Sequence, residues 1–178
     1  IIYYMDEPVA DPSAIALYFV TELASENVKV SLSGEGADEI FGGYNIYQEP
    51  LTDAWYYKMP YPIRFVIGKV ASIFPHKRGI NFLIRRGKKL EDRFVGNAFI
   101  FNNHEVKKIL KNKRQTKGFQ DLTKPYYEKV KDKDEVTKMQ YIDFNFWLIG
   151  DILTKADKMS MANSLEVRVP FLDRPLID

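Results

Sequence analysis

The chain has 178 residues, 46% hydrophobic and 28% charged, with no cysteine and a formal net charge of +2. This is the balance of one ordinary globular domain with a real core. It excludes disulfides, thiolate nucleophiles and Cys-based metal sites in this stretch, and it gives no bulk electrostatic reason to bind nucleic acid or membrane. No apolar run approaches the ~18 residues of a membrane span. Ile1 stands first rather than Met, and Ile1-Ile2-Tyr3-Tyr4 is too short and uncharged for a signal peptide, so the start reads as an artificial edge. The absence of cysteine fits the cytoplasm.

Asp11-Pro12-Ser13 is a cap-and-Pro helix start, and Ile15, Leu17, Tyr18, Phe19 and Leu23 follow at roughly helical spacing. Residues 28–32 alternate with β-branched positions and predict the one clear strand, a central one. It runs into Ser33-Gly34-Glu35-Gly36-Ala37-Asp38-Glu39, a glycine turn and then a helix start. Prolines 50, 60, 62 and 75 predict short helices joined by kinks. Residues 76–117 are basic, with apolar residues at helical spacing, and predict two helices with solvated basic outer faces, or a docking surface for another domain. Residues 111–133 have the least pattern and read as a mobile or loosely helical linker. Residues 134–165 give the longest helical stretch: Tyr141, Phe144, Leu148 and Ile152 mark one apolar line, and Ile142, Phe146, Ile149 and Leu153 an adjacent one. Asp151, Lys155 and Lys158 fall on one polar face of it. An alternating run at 166–169 closes on Pro170.

A strand that ends in a glycine-rich turn and opens a helix exposes consecutive backbone N–H groups, which favour a phosphate. Gly34 and Gly36 allow close backbone approach. Carboxylates beside such a cradle suit Mg²⁺, held by one or two acids plus phosphate oxygens, and Asp38 is the candidate ligand. Glu35 offers a second acid for proton transfer or for steering a nucleophile. The same turn could also be a plain β-to-α connection whose acids complement the helix dipole.

The block Leu32-Ser33-Gly34-Glu35-Gly36-Ala37-Asp38-Glu39-Ile40-Phe41-Gly42-Gly43-Tyr44 resembles that of the asparagine synthetase family, bacterial type. Met5-Asp6-Glu7-Pro8-Val9-Ala10-Asp11 resembles the family's preceding segment, and the run from Asp151 to Asp173, through Lys155, Lys158 and Val169-Pro170-Phe171, is similar to its third block. The resemblance implies an α/β fold: a Rossmann-like ATP-pyrophosphatase (adenine nucleotide alpha hydrolase-like) domain, of which residues 1–178 form a mostly helical part. It implies ATP and Mg²⁺ as cofactors, aspartate as acceptor, and ammonia from glutamine through a separate glutaminase domain. It also leaves a homodimer open. Carried over by position, Ser33, Gly34 and Gly36 would contact ATP or pyrophosphate. Asp38 would share the Mg²⁺–pyrophosphate, Glu35 would act on the intermediate, and Asp151, Lys155 and Lys158 would lie near aspartate. Arg168 and Asp173 would pin the Val169-Pro170-Phe171 turn. The family's Ser-Gly-Gly-x-Asp-Ser loop, its later lysine motif and its glutaminase domain are not in this stretch, and the first is expected upstream.

Two other readings stay open. One is a same-family ligase acting on another carboxylate to make a different amide or a lactam. The other is a non-catalytic module using the basic 76–117 stretch on nucleic acid, against which Phe82, Phe94 and Phe99 read better as core than as base-stacking residues.

Overall fold

The α1 helix (Ser13–Ser25) begins where the sequence places it, because Asp11 accepts from both the Ser13 N–H and the Ser13 hydroxyl, each at 2.8 Å. The computed structural model describes residues 1–7, 11–75, 77–97, 99–101, 103–112 and 117–177. Part of the segment before α1, residues 8–10, and four residues of the basic and linker stretches, 113–116, therefore lie outside the described residues. After α1 come β1 (Val30–Leu32) and α2 (Ala37–Phe41). Short helices α3 (Glu49–Thr52) and α4 (Ala54–Tyr57) and the longer α5 (Tyr61–Ala71) fill the proline-broken region as predicted. Then follow α6 (Arg78–Arg86), α7 (Asn103–Ile109), α8 (Phe119–Lys129) and α9 (Glu135–Asp143). A π-helical segment, Phe144–Leu153, leads into α10 (Thr154–Ala162), β2 (Glu166–Arg168) and α11 (Arg174–Ile177). The chain is thus mostly helical with a small parallel sheet.

Two units divide it, one made of residues 1–44 and 143–178 and the other of residues 45–142. In the first, β1 and β2 pair in parallel with Ser31 opposite Val167, and the ladder extends at both ends: Glu166 N–H donates to Lys29 O at 3.0 Å and Ser33 N–H to Arg168 O at 2.8 Å. The predicted strand is present but three residues long rather than five, and among the described residues it has one partner rather than a central place; that partner, β2, falls in the alternating run at 166–169. Met5, Ala14 and Met159 form a small core, with Leu17 and Tyr18 packed against it. The helix α1 does not bury the apolar line read from its sequence. Ile15, Phe19 and Leu23 are exposed, while Ala14 and Thr21 are buried. Small and polar residues let α1 approach α10 closely enough to bond: the Thr21 hydroxyl donates to Met159 O at 3.0 Å and Asn163 Nδ2 to Tyr18 O at 3.0 Å.

The second unit buries Tyr47, Tyr56, Leu90, Phe94, Tyr127 and Met139, and the Tyr127 hydroxyl donates to Phe94 O at 2.8 Å. A close backbone approach joins α5 to the end of α6, since a Cβ on Gly87 would lie 2.9 Å from Gly68 Cα. Two expectations fail here. The mobile or loosely helical linker expected at 111–133 holds a regular helix instead: α8 occupies 119–129, anchored by buried Thr123 and Tyr127. The basic stretch is not simply solvated, because Arg86 and Arg93 are buried. Glu49 accepts from Arg86 at 2.8 Å and from Arg93 at 3.0 Å, and it pairs with Arg85 at 3.3 Å. Asp53 adds a second bond to Arg86 at 2.6 Å. A buried cation needs such partners, and the acids that supply them stand some forty residues upstream, where no local pattern reveals them.

Candidate functional site

In the first unit, the carboxyl ends of the two parallel strands deliver the site. The turn leaving β1 carries Ser33, Gly34, Glu35 and Gly36, and the turn leaving β2 carries Val169, Pro170, Phe171 and Leu172. The two turns pack together. Gly36 adopts a φ of +88°, and any Cβ there would collide with the Leu172 side chain, so both the conformation and the contact demand glycine. Phe41 meets Phe171 edge-on at 5.9 Å. A cavity of about 530 Å³ opens beside Leu32, Arg168, Val169 and Leu172. Ligands of open parallel sheets sit outside the strands' carboxyl ends.

The turn is only partly spent on the fold. Ser33 N–H closes the ladder, but no acceptor among the described residues takes the N–H of Gly34, Glu35 or Gly36. Gly34 is exposed, and a Cβ there would meet nothing. Asp38 is exposed, with its carboxylate against Gly43 Cα, whereas neighbouring Glu39 is buried at 1% exposure. Glu39 accepts from the Tyr44 hydroxyl at 2.8 Å, and Tyr44 accepts from Trp147 Nε1 at 3.2 Å. Burial and the Glu39 charge push the Tyr44 hydroxyl well above its ordinary range, against the Trp147 hydrogen bond.

Trp147 leads on to the second group of candidates. Lys155 Nζ lies 6.0 Å from its ring centroid. Lys155 is buried at 7% exposure, bonded to Asp11 and 3.5 Å from Asp151. Burial would raise Asp11, but the Lys155 ammonium and two bonds from Ser13 hold it well below the usual carboxylate range. Asp151 goes the other way: burial raises it, Lys155 opposes, and Asp11 adds to the rise. Lys158 does not join this group; it pairs with Asp6, which raises its pKa. The chain Glu39–Tyr44–Trp147–Lys155–Asp151 thus ties the β1 turn to the π-helical segment.

A model of the asparagine synthase family matches residues 1–178. The chain belongs to this family. It is 47% identical over 179 residues to glutamine-hydrolysing asparagine synthetase 1 of Bacillus subtilis, covering 100% of this chain and 28% of that protein. A Mycobacterium tuberculosis protein bearing a glutamine-hydrolysing asparagine synthetase name is 49% identical over 174 residues, 97% of this chain and 27% of that protein. Asparagine synthetase 3 of Bacillus subtilis is 31% identical over 171 residues. The chain therefore spans little more than a quarter of the length of these two curated relatives. No solved structure matches it.

Within this asparagine synthase chain, the sequence reading missed the roles of Asp6, Asp11, Glu39, Tyr44 and Trp147. Asp11 reads only as a cap, because a lysine 144 residues away cannot be inferred from spacing. The signal for all but Trp147 was that they stand inside the resembling blocks. Arg168 departs from its expected role: its guanidinium bonds Glu166 at 2.8 Å, two residues back on the exposed strand, rather than pinning the following turn. Asp173 does serve the turn through its backbone, donating to Pro170 O at 3.1 Å. No helix among the described residues is long and apolar enough to cross a membrane.

Proposed function

We propose that this chain is part of the Rossmann-like ATP-pyrophosphatase domain of an asparagine synthetase. It would adenylate the aspartate side-chain carboxylate and form asparagine with ammonia drawn from glutamine by a separate glutaminase domain. The observation that carries the reading is the parallel β1–β2 pair, whose carboxyl ends present the 33–38 turn with unspent N–H groups. These residues fit a nucleotide: Gly34 leaves room for close approach, and N–H groups at such a turn donate to phosphate oxygens. They also fit Mg²⁺ brought with its phosphates. Among the described residues no cluster of three or more acids or histidines could hold a metal alone, and an exposed Asp38 supplies the one carboxylate that a phosphate-bound Mg²⁺ needs.

Bound ATP supplies the activation, making the acceptor's carboxylate oxygen a leaving group. This chain's residues then have distinct tasks. Ser33, Gly34 and Gly36 shape and line the phosphate cradle, Asp38 shares the metal, and half-buried Glu35 takes a proton from, or steers, the incoming ammonia. Lys155, fixed between Asp11 and Asp151, is a buried cation able to pair with a substrate carboxylate. Lys158 is further from this work, engaged by Asp6.

The test is exchange of labelled pyrophosphate into ATP by the full-length protein. Exchange should require aspartate. Exchange driven equally well by another carboxylic acid would move the chain to the same-family ligase reading, and no acid-dependent exchange would refute adenylation. The nucleic-acid reading loses its basis where Arg86 and Arg93 are consumed by internal acids.

A further inference from the structure

The second unit holds a cavity of about 490 Å³ that has no part in the proposed reaction. Its size is that of a small-molecule site. Arg85, Lys88 and Arg93 line it with a single acid, Asp92. Its apolar wall is Phe99 against Phe119, edge-on at 5.5 Å. Asn103 stiffens the rim, donating to Gln120 Oε1 at 2.7 Å and accepting from Phe119 N–H at 3.2 Å.

The cations here are not fully spent. Arg93 bonds Glu49 at 3.0 Å, the Tyr57 hydroxyl at 2.9 Å and Glu135 at 3.4 Å, yet its Nε–H is buried with no acceptor. A buried guanidinium N–H without a partner is rare and calls for an explanation. Arg85 holds the longest share of Glu49, and burial followed by the neighbouring Arg93 and Arg86 charges lowers its pKa, the mark of a crowded cation. Lys88 has no carboxylate partner among the described residues. A solvated basic face would explain Lys88 alone. It does not explain a concavity that gathers three cations beside paired phenyl rings.

We propose that this cavity binds a small organic phosphate with a planar body, its phosphate set by Arg85 and Lys88 and its body against Phe99 and Phe119. A monophosphate's two charges suit Arg85 and Lys88 together better than a single carboxylate does.

Phenyl phosphate is the probe, titrated calorimetrically into the full-length protein, with inorganic phosphate and benzoate as comparisons. Lys88 and Phe99 are both exposed, so Lys88→Ala and Phe99→Ala should leave the fold intact. Phenyl phosphate should bind saturably, roughly tenfold more weakly in each variant, since loss of a charge-assisted contact or a stacking wall has about that effect. Asp38→Asn should bind it as wild type does. Unsaturable binding, unchanged affinity in both cavity variants, or loss of binding in Asp38→Asn would overturn the proposal. Inorganic phosphate or benzoate binding as tightly as phenyl phosphate would do so too.

Discussion

Replacing Lys155 by Met removes a charge while nearly keeping its volume, and the structure sets the size of the effect. Lys155 is the cation between Asp11 and Asp151. Without it, two carboxylates share a partly buried space, and the cheapest relief is to protonate one. Asp151, already held above its ordinary range by burial and by Asp11, is the group that takes the proton. Protonating a carboxyl of ordinary pKa near 3.9 costs about 4 kcal/mol at pH 7 and about 1.5 kcal/mol at pH 5, at ~1.4 kcal/mol per pH unit. The first figure matches the ~3–5 kcal/mol typical of breaking a buried pair. The wild type should behave differently. Asp11 has a depressed folded pKa, so its contribution is present above about pH 4 and is lost only as pH falls through that low value. Between pH 7 and 5 Asp11 therefore adds little pH dependence, while the variant, in which Asp151 loses the opposing Lys155 charge, binds an extra proton only when folded and recovers stability as pH falls. Hydrogen exchange of α1 and α10 amides in the full-length protein, corrected for intrinsic rates, reads the local opening energy. Protection should drop strongly at pH 7 and far less at pH 5. An equal drop at both values, or none, would refute the reasoning.

Asp38→Asn and Glu35→Gln should fail differently: the first should depress aspartate-dependent pyrophosphate exchange, and the second chiefly asparagine formation, by ~10²–10⁴-fold if Glu35 moves a proton. Wild-type activity in both would remove them from the site. Gly36→Ala should cost about 1–3 kcal/mol through its positive φ, and more through the clash with Leu172, seen as lower thermal stability together with lost exchange. Glu49→Gln strips the shared carboxylate from Arg85, Arg86 and Arg93 and should destabilise the second unit by about 2–4 kcal/mol, read as faster amide exchange in α3 and α6.

Local features of the fold were legible because they are written in neighbouring residues. The β-branched alternation before Ser33, the cap at Asp11-Pro12-Ser13 and the prolines that break 50–75 each act within one turn or strand. What the chain hides is partnership at a distance. Periodicity said that Ile15, Phe19 and Leu23 share a face of α1, but not that α10 packs on the opposite, smaller face through Thr21 and Asn163. A count of positive charges in 76–117 cannot show that Arg86 and Arg93 turn inward to Glu49. The β1 turn was found because its glycines and acids are contiguous, whereas Asp11 and Trp147 reach the site only through tertiary contacts.

The polar face at 151–158 splits where the π-helical segment meets α10. Helical spacing alone puts Asp151, Lys155 and Lys158 together, yet only the first two meet. Asp151 stands in the last turn of the π-helical segment and Lys155 in the first turn of α10, and the Thr154 hydroxyl donates five residues back to Ile149 O at 2.8 Å, in the wider register. Such wide turns concentrate at functional sites, where they re-aim side chains that a regular helix would stack in line. Here Trp147, four residues ahead of Asp151, reaches Tyr44 while Lys155 lies over its ring. Lys158, nearly one turn further along α10, pairs with Asp6 instead. Lys155, one turn on from Asp151, is therefore the cation held between Asp11 and Asp151 and set over the Trp147 ring, a choice that the i, i+4, i+7 spacing leaves open.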